Sequence, residues 1–435
     1  MKAKINDRIT IINKGEAPKG YRVYKNIILP NEWNIVKLEE IIEKLDSGVS
    51  VNSEDRPCKE SEFGILKTSC ANNGRFYPKE NKVIIAKEIE RAKLNPRKGM
   101  LIISRMNTPD LVGEVGYVDK DYNHLFIPDR LWQTCFSEDV DSKWLVSLMT
   151  TFKIRKKIKN IATGTSNSMK NISKGEFLSI EIPKPPLPEQ QKIANILSTW
   201  DKAIELKEQH IEEKKRQKKG LMKKLLTGEV RMPGFDGEWK EVRLKDIFLR
   251  VTRKNDEGNT NVLTISAQRG LINQEDYFNK SVASAVLDNY FLLKKGEFAY
   301  NKSYSNGYPM GAIKRLNIFK SGVVTTLYIC FRLIEKSLDN ASFYENYFES
   351  GLLIEPLRQI AHEGGRAHGL LNVTPKDFFE LKIMRPPFEE QCKVAEILTN
   401  ANKEVELLEK ELEALKIQKK GLMQLLLTGI IRVNL

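Results

Sequence analysis

The sequence has few cysteines and does not place them in pairs. Five occur among 435 residues, and none forms a Cys-x-x-Cys pattern. An odd number of scattered cysteines argues against a disulfide framework and a structural zinc site, and is typical of a reducing compartment. The sequence also lacks any run of about eighteen apolar residues, so it predicts no membrane-spanning helix. We therefore expect a cytoplasmic protein.

Motifs that bind nucleotides are absent as well. No lysine follows a glycine anywhere in the chain, which excludes the Gly-x-x-x-x-Gly-Lys-Ser/Thr phosphate loop. No glycine-rich turn joins a long strand to a helix, so neither a dinucleotide fold nor an adenosylmethionine fold is expected. The pairs Pro185-Pro186 and Pro386-Pro387 follow Lys and Arg, whereas an amino-methyltransferase needs Asn or Asp there. We expect no cofactor in this chain.

Positive charge is in excess. The formal net charge is +14 and the sequence pI is about 9.3. An excess of this size is typical of proteins that bind a polyanion, most commonly nucleic acid, although a generally basic proteome gives the same balance.

One long segment of the chain occurs twice. Residues 171–228 match residues 372–429 without insertion or deletion, each position displaced by 201. Glu189-Gln190 recurs as Glu390-Gln391, and a Trp-containing segment before each globular part repeats as Trp33 and Trp239. A gapless match over roughly sixty residues indicates an internal duplication.

Each copy contains a predicted long helix. A proline-rich approach and acidic residues favour a start at Leu187 and Phe388, and Gly228 and Gly429 favour a stop, leaving about 38 residues or ~57 Å. Apolar residues recur at steps of four and three, as in a coiled-coil seam, so we expect the two helices to pack on each other. An alternative is that each helix packs only on its own globular part.

The two copies of the seam are unequal. Lys207 and Lys214 stand in the first helix where the second has Leu408 and Leu415. Lysine stems can lie along apolar surface, so the seam is tolerable. We expect the first helix to be the weaker half of the seam and to present charge to a partner.

Short β-type runs separated by Gly, Asn and Pro fill the rest of each copy, with helical patterns after them. The predicted fold is α+β: two globular domains with mostly antiparallel sheets, separated by two long antiparallel coiled-coil helices in a pseudo-two-fold internal duplication. The predicted boundaries are 1–28 (N-terminal extension), 29–184 (globular domain 1), 185–228 (central helix), 229–385 (globular domain 2), 386–429 (distal helix) and 430–435 (C-terminal tail). One interpretation of residues 1–28 is that they close the ring with the C-terminus.

Two alternatives to nucleic-acid recognition remain open. Asp129, Asp141 and Lys143 fit the residue types of a metal-dependent nuclease, which needs carboxylates for Mg²⁺ and a lysine near the attacking water. Asp141 fits better as a helix cap before Trp144, and the second copy has no counterpart of these residues. The other alternative is a coiled-coil scaffold that binds no DNA.

The doubled pattern resembles a known family. The Pro-Pro-x-x-Glu-Gln helix entries, the Leu-x-x-Gly endings and the segment Met232–Trp239 are similar to the specificity subunit of type I restriction-modification systems, over about residues 29 to 435. The resemblance implies that each globular part is a target recognition domain, reading one half of a bipartite double-stranded DNA target. It implies that the helices set the half-site separation and dock two methyltransferase subunits, with restriction subunits completing the complex. The family's subunit has no catalytic site, so adenosylmethionine, ATP and Mg would belong to partner subunits that carry out DNA methylation and defence.

Polar loops beside strand ends are the candidates for contact with DNA. Arg suits guanine, Asn and Gln suit adenine, and Lys suits phosphate. We expect no catalytic or metal-binding residue in this chain. The predicted DNA-binding residues are Lys67, Thr68, Ser69, Asn72, Asn73, Arg75, Arg105, Asn107 and Lys170, with residues 165–169, in the first domain, and Gln268, Arg269, Asn301, Lys302, Ser303, Tyr304, Arg366 and His368 in the second.

Overall fold

The structure is a computed structural model that describes residues 2–164, 169–278, 287–361 and 371–433, with side chains from residue 5 onward. Within these ranges, no helix is long and apolar enough to cross a membrane. The chain forms two compact units: unit 1 comprises Met1–Lys207 with Glu411–Leu435, and unit 2 comprises Glu208–Lys410. The division falls inside both long helices, whereas the sequence-based boundaries keep each helix whole; those boundaries stay a prediction.

Both halves of the chain contain helices and strands. The helices are α1 (Lys2–Asn13), α2 (Ser142–Met149), α3 (Phe152–Ile161), α4 (Lys174–Leu178), α5 (Leu187–Leu226), α6 (Leu244–Ile247), α7 (Gln274–Phe278), α8 (Ala341–Glu349), α9 (Ile354–Ile360), α10 (Pro375–Glu380) and α11 (Phe388–Leu427). The strands before α5 are β1 (Tyr21–Tyr24), β2 (Ile27–Pro30), β3 (Asn34–Lys37), β4 (Ile42–Ser47), β5 (Ser53–Glu54), β6 (Gly64–Leu66), β7 (Ala71–Asn72), β8 (Gly74–Phe76), β9 (Asn81–Ile84), β10 (Leu101–Ser104), β11 (Met106–Asn107), β12 (Val115–Tyr117), β13 (Leu125–Phe126), β14 (Leu131–Phe136), β15 (Lys170–Asn171) and β16 (Glu181–Lys184). Those after it are β17 (Lys240–Arg243), β18 (Phe248–Arg250), β19 (Leu263–Ser266), β20 (Gly270–Asn273), β21 (Phe291–Lys294), β22 (Phe298–Asn301), β23 (Ala312–Arg315), β24 (Ser321–Val324), β25 (Ile329–Leu333) and β26 (Lys382–Arg385).

The globular parts of the two units share a sheet order that their sequences do not reveal. Unit 1 has a sheet in the order β4-β14-β10-β12-β8-β7, and unit 2 has β18-β25-β22-β23. The first four strands of the unit 1 sheet therefore correspond to the whole unit 2 sheet, and all of these pairs are antiparallel. The pair β3/β16 likewise corresponds to β17/β26. The prediction of mostly antiparallel sheets is confirmed.

A buried strand runs through the middle of each sheet. All four residues of β10 are buried, as are the first three of β22. Continuous apolar runs are expected where both faces of a strand are covered. In unit 2 the cover is aromatic: Phe248, Phe298 and Phe331 pack with ring centroids 5.0 to 5.7 Å apart, so the central strands are rigidly held.

Both long helices begin and end as the sequence predicts. Each is 40 residues long, starting at Leu187 and Phe388. Gly228 and Gly429 follow the last turns with φ of 73°, a left-handed conformation that glycine adopts without strain. A Cβ at Gly429 would lie 2.6 Å from Pro30 Cδ, so this glycine is needed for space as well as conformation.

In unit 1 the N-terminal half of α5 runs antiparallel to the C-terminal half of α11. Lys419 Nζ lies 2.7 Å from Asp201 Oδ1, and Lys207 Nζ lies 2.6 Å from Glu411 Oε2. As the chain advances along α5 its partners recede along α11, which defines the antiparallel direction. The coiled-coil prediction is confirmed, because the two helices pair with each other.

In unit 2 the remaining halves also pair antiparallel, because Met222 near the end of α5 shares a core cluster with Val394 near the start of α11. Lys214 Nζ lies 2.6 Å from Glu404 Oε1, and Lys215 Nζ lies 2.9 Å from Glu409 Oε1. The two lysines that interrupt the seam of α5, Lys207 and Lys214, do not leave it open; the expectation that the first helix presents charge to a partner stays a prediction. Both ammonium groups face carboxylates of the opposite helix, because acidic residues flank the apolar seam of α11.

A buried carboxylate anchors each helix start to its globular part. Glu189, 1% exposed, accepts from Trp33 Nε1 at 2.9 Å and from Arg432 Nε and Nη2 at 2.6 and 2.8 Å. We call Trp33, Glu189 and Arg432 lock 1. Bidentate pairing satisfies a carboxylate that would otherwise be costly to bury. Lock 1 therefore joins the start of α5 to two segments that are far from it in sequence.

Unit 2 repeats this arrangement. Glu390, fully buried, accepts from Trp239 Nε1 at 2.8 Å and from Arg231 Nε and Nη2, both at 2.8 Å. We call Trp239, Glu390 and Arg231 lock 2. Burial alone would raise the carboxyl pKa, but hydrogen bonds from Arg231 and Trp239 outweigh it and hold the pKa of Glu390 below its usual range.

The glutamine that follows each lock glutamate also makes the same contacts in both units, which accounts for the Glu-Gln pair of the repeat. Gln190 donates to Pro185 O and Asp139 O and accepts from Asp141 N, at 2.8 to 3.1 Å. Gln391 makes the corresponding bonds to Pro386 O, Leu338 O and Asn340 N, at 2.9 to 3.2 Å. Asp141 and Asn340 cap α2 and α8. The repeated glutamine therefore joins the proline turn to the first helix of the globular part.

Residues near the N-terminus contact the C-terminal tail. Arg8 Nη1 donates to Ile430 O at 3.1 Å, and the Tyr21 hydroxyl donates to Gly429 O at 2.7 Å. Burial raises the pKa of Tyr21, while Arg8 and Arg432 oppose that rise. These bonds join the segment to residues 429–430, and the interpretation that it closes the ring stays a prediction.

Candidate nucleic-acid interface

Several of the predicted residues meet at one end of the six-stranded sheet of unit 1. Arg105 directly follows β10, and the turn Asn72–Asn73 directly precedes β8. Because β10 is antiparallel to β12 and β12 is parallel to β8, both positions fall at the same end of the sheet. Two strand spacings of ~4.8 Å separate them. No local pattern in the sequence indicated that these residues are neighbours.

The turn at Asn73 is fixed by a hydrogen bond to Glu114, which precedes β12. Asn73 adopts φ of 47°, which asparagine tolerates, and its backbone N donates to Glu114 Oε2 at 2.7 Å. Glu114 in turn pairs with Arg155 of α3 at 2.8 Å. The side chains of Asn72 and Asn73 are exposed. A fixed turn thus presents two carboxamides at the sheet end.

Other predicted residues of unit 1 lie elsewhere or are already engaged. A turn containing Lys67, Thr68 and Ser69 leads into β7 at the end of the sheet opposite to Asn73 and Arg105. There Ser69 Oγ donates to Glu80 at 2.7 Å. Arg75 lies 3.9 Å from Asp201 of α5. Asn107 donates to Ser104 Oγ at 3.1 Å and accepts from Thr108 N.

Lys170 lies in β15, which pairs with β11, and donates to Gly164 O at 2.8 Å. Of the predicted segment 165–169, only Met169 is described; residues 165–168 fall outside the described ranges.

In unit 2 two predicted loops lie side by side. Gln268 Nε2 reaches Asn306 O at 3.5 Å, which places the turn between β19 and β20 beside the loop that follows β22. Arg269 is exposed, and Tyr304 is 64% exposed. Asn301 accepts from Ser303 N at 3.1 Å, fixing the start of the loop. The pair of loops forms a polar surface with one projecting aromatic ring.

Lys302 lies at the base of this surface. Its ammonium donates to Val373 O at 3.2 Å, and burial, with a smaller effect of nearby Arg250, lowers its pKa. Arg366 and His368 fall outside the described residues.

The structure adds cations that the sequence-based prediction omitted. Arg130 lies opposite Arg105 at the sheet end, and Arg250 lies near Lys302 in unit 2. Lys153 and Lys156 lie on the exposed face of α3. Arg130 directly precedes a strand, which is the signal that identified the other candidates and could have identified this one.

The residues of the nuclease alternative perform structural tasks. Asp141 caps α2 by accepting from Trp144 N at 2.8 Å, and Asp129 accepts a hydrogen bond from Ser50 Oγ. Lys143 Nζ lies 5.6 Å from the centre of the Tyr117 ring. In the portion of the chain that is described, no group of three His, Cys, Asp or Glu side chains is placed to hold a metal ion.

Two α+β units, each on paired antiparallel helices with a repeated lock, define the class of the protein: a duplicated α+β module on a helical frame. The model of the type I restriction modification DNA specificity domain matches residues 30–216 and again residues 236–416. The chain belongs to this family and carries two copies of its domain.

Known proteins agree with this assignment. The chain is 26% identical over 430 residues to the putative type I restriction enzyme MjaX specificity subunit of Methanocaldococcus jannaschii, covering 93% of this chain and 95% of that protein. It is 25% identical to the MjaVIII specificity subunit of the same organism, covering 98% and 99%. The type I restriction-modification S subunit from M. genitalium has a similar fold, with a TM-score of 0.53, 16% identity, and coverage of 95% of this chain and 98% of that one.

Proposed function

We propose that this chain is the non-catalytic DNA-recognition subunit of a type I restriction-modification complex. Recognition domain 1, in unit 1, reads one half of a bipartite double-stranded DNA target, and recognition domain 2, in unit 2, reads the other. The paired long helices set the half-site separation and dock two methyltransferase subunits, and restriction subunits complete the complex. Adenosylmethionine, ATP and Mg serve the partner subunits, and the complex works in the cytoplasm.

One observation carries this proposal. The two units keep the same lock, the same glutamine contacts and the same order of four strands, while the side chains at the strand ends differ. The repeated part, which we call the frame, comprises the locks, the glutamine contacts and the shared strands; the strand-end side chains, which we call the tips, differ. This combination fits a protein that recognises two different DNA sequences with one architecture. The net charge of +14 supports binding to a polyanion.

The test is to co-express the chain with the methyltransferase encoded beside it and to map methylated bases by single-molecule sequencing. We expect one bipartite motif with a fixed spacer. The double variant Gln268→Ala, Tyr304→Ala should alter only the half-site read by domain 2. Methylation without a split motif, or a change in both half-sites, contradicts the proposal.

The spacer role has its own test. Four residues inserted after Lys207 shift the following seam residues out of phase, because an insertion of four locally changes the winding of a coiled coil. We expect the recognised spacing to change or assembly to fail. A seven-residue insertion, which keeps the heptad phase, is the matched control for helix disruption. An unchanged spacing with the four-residue insertion excludes the helices as the ruler.

A further inference from the structure

Arg105 is a half-buried arginine that forms no ion pair within the described ranges. Its Nε is buried without a hydrogen-bond partner, and one guanidinium nitrogen each of Arg155, Arg253 and Arg315 is in the same situation. Those three guanidinium groups are nevertheless paired with carboxylates: Arg155 with Glu114 at 2.8 Å, Arg253 with Glu297 at 2.7 Å and Arg315 with Glu345 at 3.3 Å. The guanidinium of Arg105 lacks such a partner, so its donors are available to an acceptor from outside the chain.

The guanidinium of Arg105 is held in a fixed orientation. Its Cζ lies 5.9 Å from the centre of the Trp132 ring, and Trp132 is 3% exposed within the core of unit 1. Ile103 pairs with Trp132, so Arg105 is the diagonal neighbour of that ring on the same sheet face. Stacking on an aromatic face orients the planar fork before any ligand binds, which reduces the entropy lost on binding.

Two arginines lie together at this end of the sheet. Arg105 N donates to Arg130 O at 3.1 Å, so the two arginines lie directly opposite each other at the sheet end. Within the described ranges, neither forms an ion pair with a carboxylate. Two adjacent cations that form no ion pair favour a ligand that offers both acceptors and negative charge.

We infer that Arg105 reads a guanine in the half-site of recognition domain 1, with Arg130 on an adjacent phosphate. A guanine presents O6 and N7 as paired acceptors in the major groove, and the fixed fork of arginine matches them; adenine offers a donor in place of one of them. This inference rests on the proposed function and names one of its specificity-determining contacts.

The corresponding position of domain 2 supports a distinct reading there. Lys302 follows β22 as Arg105 follows β10, and each backbone O accepts from the segment that leads into the next short helix, from Leu371 N and Ile172 N respectively. Lysine has no fork, and its ammonium is bound to Val373 O. The same place in the fold therefore carries different chemistry in the two domains.

The experiment uses the complex of this chain with its methyltransferase partner. Wild-type methylation is first measured on DNA in which each guanine of the first half-site is replaced by 7-deazaguanine, which lacks the N7 acceptor. One position should lower kcat/KM by about 5- to 150-fold, the range of one bidentate contact of 1–3 kcal/mol. Inosine at that position, which keeps O6 and N7, should have little effect.

Arg105→Ala should abolish the 7-deazaguanine effect and relax sequence preference at that position alone, leaving the second half-site unchanged. Arg105→Lys keeps the charge without the fork and should relax it as well. The control Arg56→Ala removes an exposed arginine of the same domain that pairs with Glu62, and should leave the motif intact.

The outcomes separate the two proposals. If the wild type methylates a bipartite motif but no first-half guanine responds to 7-deazaguanine, the role of Arg105 is overturned and the proposed function stands. If Arg105→Ala leaves the guanine preference intact, the role is likewise overturned. If the wild type recognises no bipartite motif, both fail. The analogue measurement on the wild-type complex does not depend on any variant folding.

Discussion

Lock 2 makes a prediction about stability that can be worked out from its contacts. In Arg231→Ala, Glu390 keeps the Trp239 hydrogen bond but loses both bonds to the guanidinium while remaining inside unit 2. Removing one partner of a buried ion pair costs about 3–5 kcal/mol. The carboxyl group can escape this penalty by taking up a proton. From an ordinary glutamate pKa of about 4.3, protonation at pH 7 costs about 3.7 kcal/mol.

The loss should therefore depend on pH. At pH 7 we expect the opening free energy of unit 2 to fall by about 3–4 kcal/mol, and at pH 5, where protonation costs about 1 kcal/mol, by much less. In the wild type, the stability that Glu390 contributes changes with pH in the opposite direction, because it decreases as the pH falls. Because the pKa of folded Glu390 is depressed, its contribution is full above the unfolded pKa and is lost as the pH falls through the folded value.

Hydrogen–deuterium exchange with mass spectrometry measures this locally, after correction for intrinsic exchange rates at each pH. Strand β18 and the start of α11 should lose protection, and β4 of unit 1 should not, because openings of separate units have separate free energies. Adding Glu390→Gln to Arg231→Ala removes the buried charge and should recover most of the loss. Arg432→Ala is the matched variant and should loosen unit 1 instead. An equal loss at pH 5 and pH 7, or no recovery by the glutamine, would refute the reasoning.

Three further outcomes follow from single contacts. Lys207→Leu replaces a partly exposed pair with Glu411, worth at most about 1 kcal/mol, by the residue type of the second copy; thermal melts should show an unchanged or slightly higher Tm and a weaker dependence on salt. Tyr21→Phe removes the hydroxyl bound to Gly429 O, which should cost about 1 kcal/mol and raise hydrogen exchange near the C-terminal tail. Tyr304→Ala alters an exposed ring, so stability should change by less than about 0.5 kcal/mol, while binding to duplex DNA weakens in a filter-binding titration. An unchanged salt dependence of the Tm would contradict the first prediction, unchanged hydrogen exchange near the C-terminal tail the second, and unchanged DNA binding the third.

The long helices could be predicted closely because their signals are local. Proline before Leu187, the apolar steps of four and three, and Gly228 each act within a turn or two of the chain. The pairing of the helices followed from the seam, and their antiparallel direction followed from the expected two-fold relation between the two copies. The partners of the seam lysines could not be predicted in this way. The pattern of one helix shows that a lysine occupies a seam position, but its partner, such as Glu411 for Lys207, lies on the other helix.

The locks and the shared sheet order could not be read from local patterns. Glu189 meets a tryptophan 156 residues earlier and an arginine 243 residues later, and no periodicity encodes such pairs. One signal was available: Arg231 and Arg432 are also displaced by 201, so the repeat continues past its glycine ends. Strand order depends on which distant runs pair, and the two globular sequences have diverged too far for comparison to reveal it.

The separation between frame and tips explains how such a protein can change what it reads. The locks saturate their buried polar groups with partners from the repeated segments, and none of these partners is a strand-end residue such as Arg105 or Lys302. Mutations at sites without shared partners act nearly independently. Substitutions at the sheet end therefore leave the anchoring of each unit intact, whereas a change in a lock loosens the unit whatever sequence it reads. Selection for new targets can thus act on the tips while the frame stays constant, which is the pattern that the two copies within this chain display.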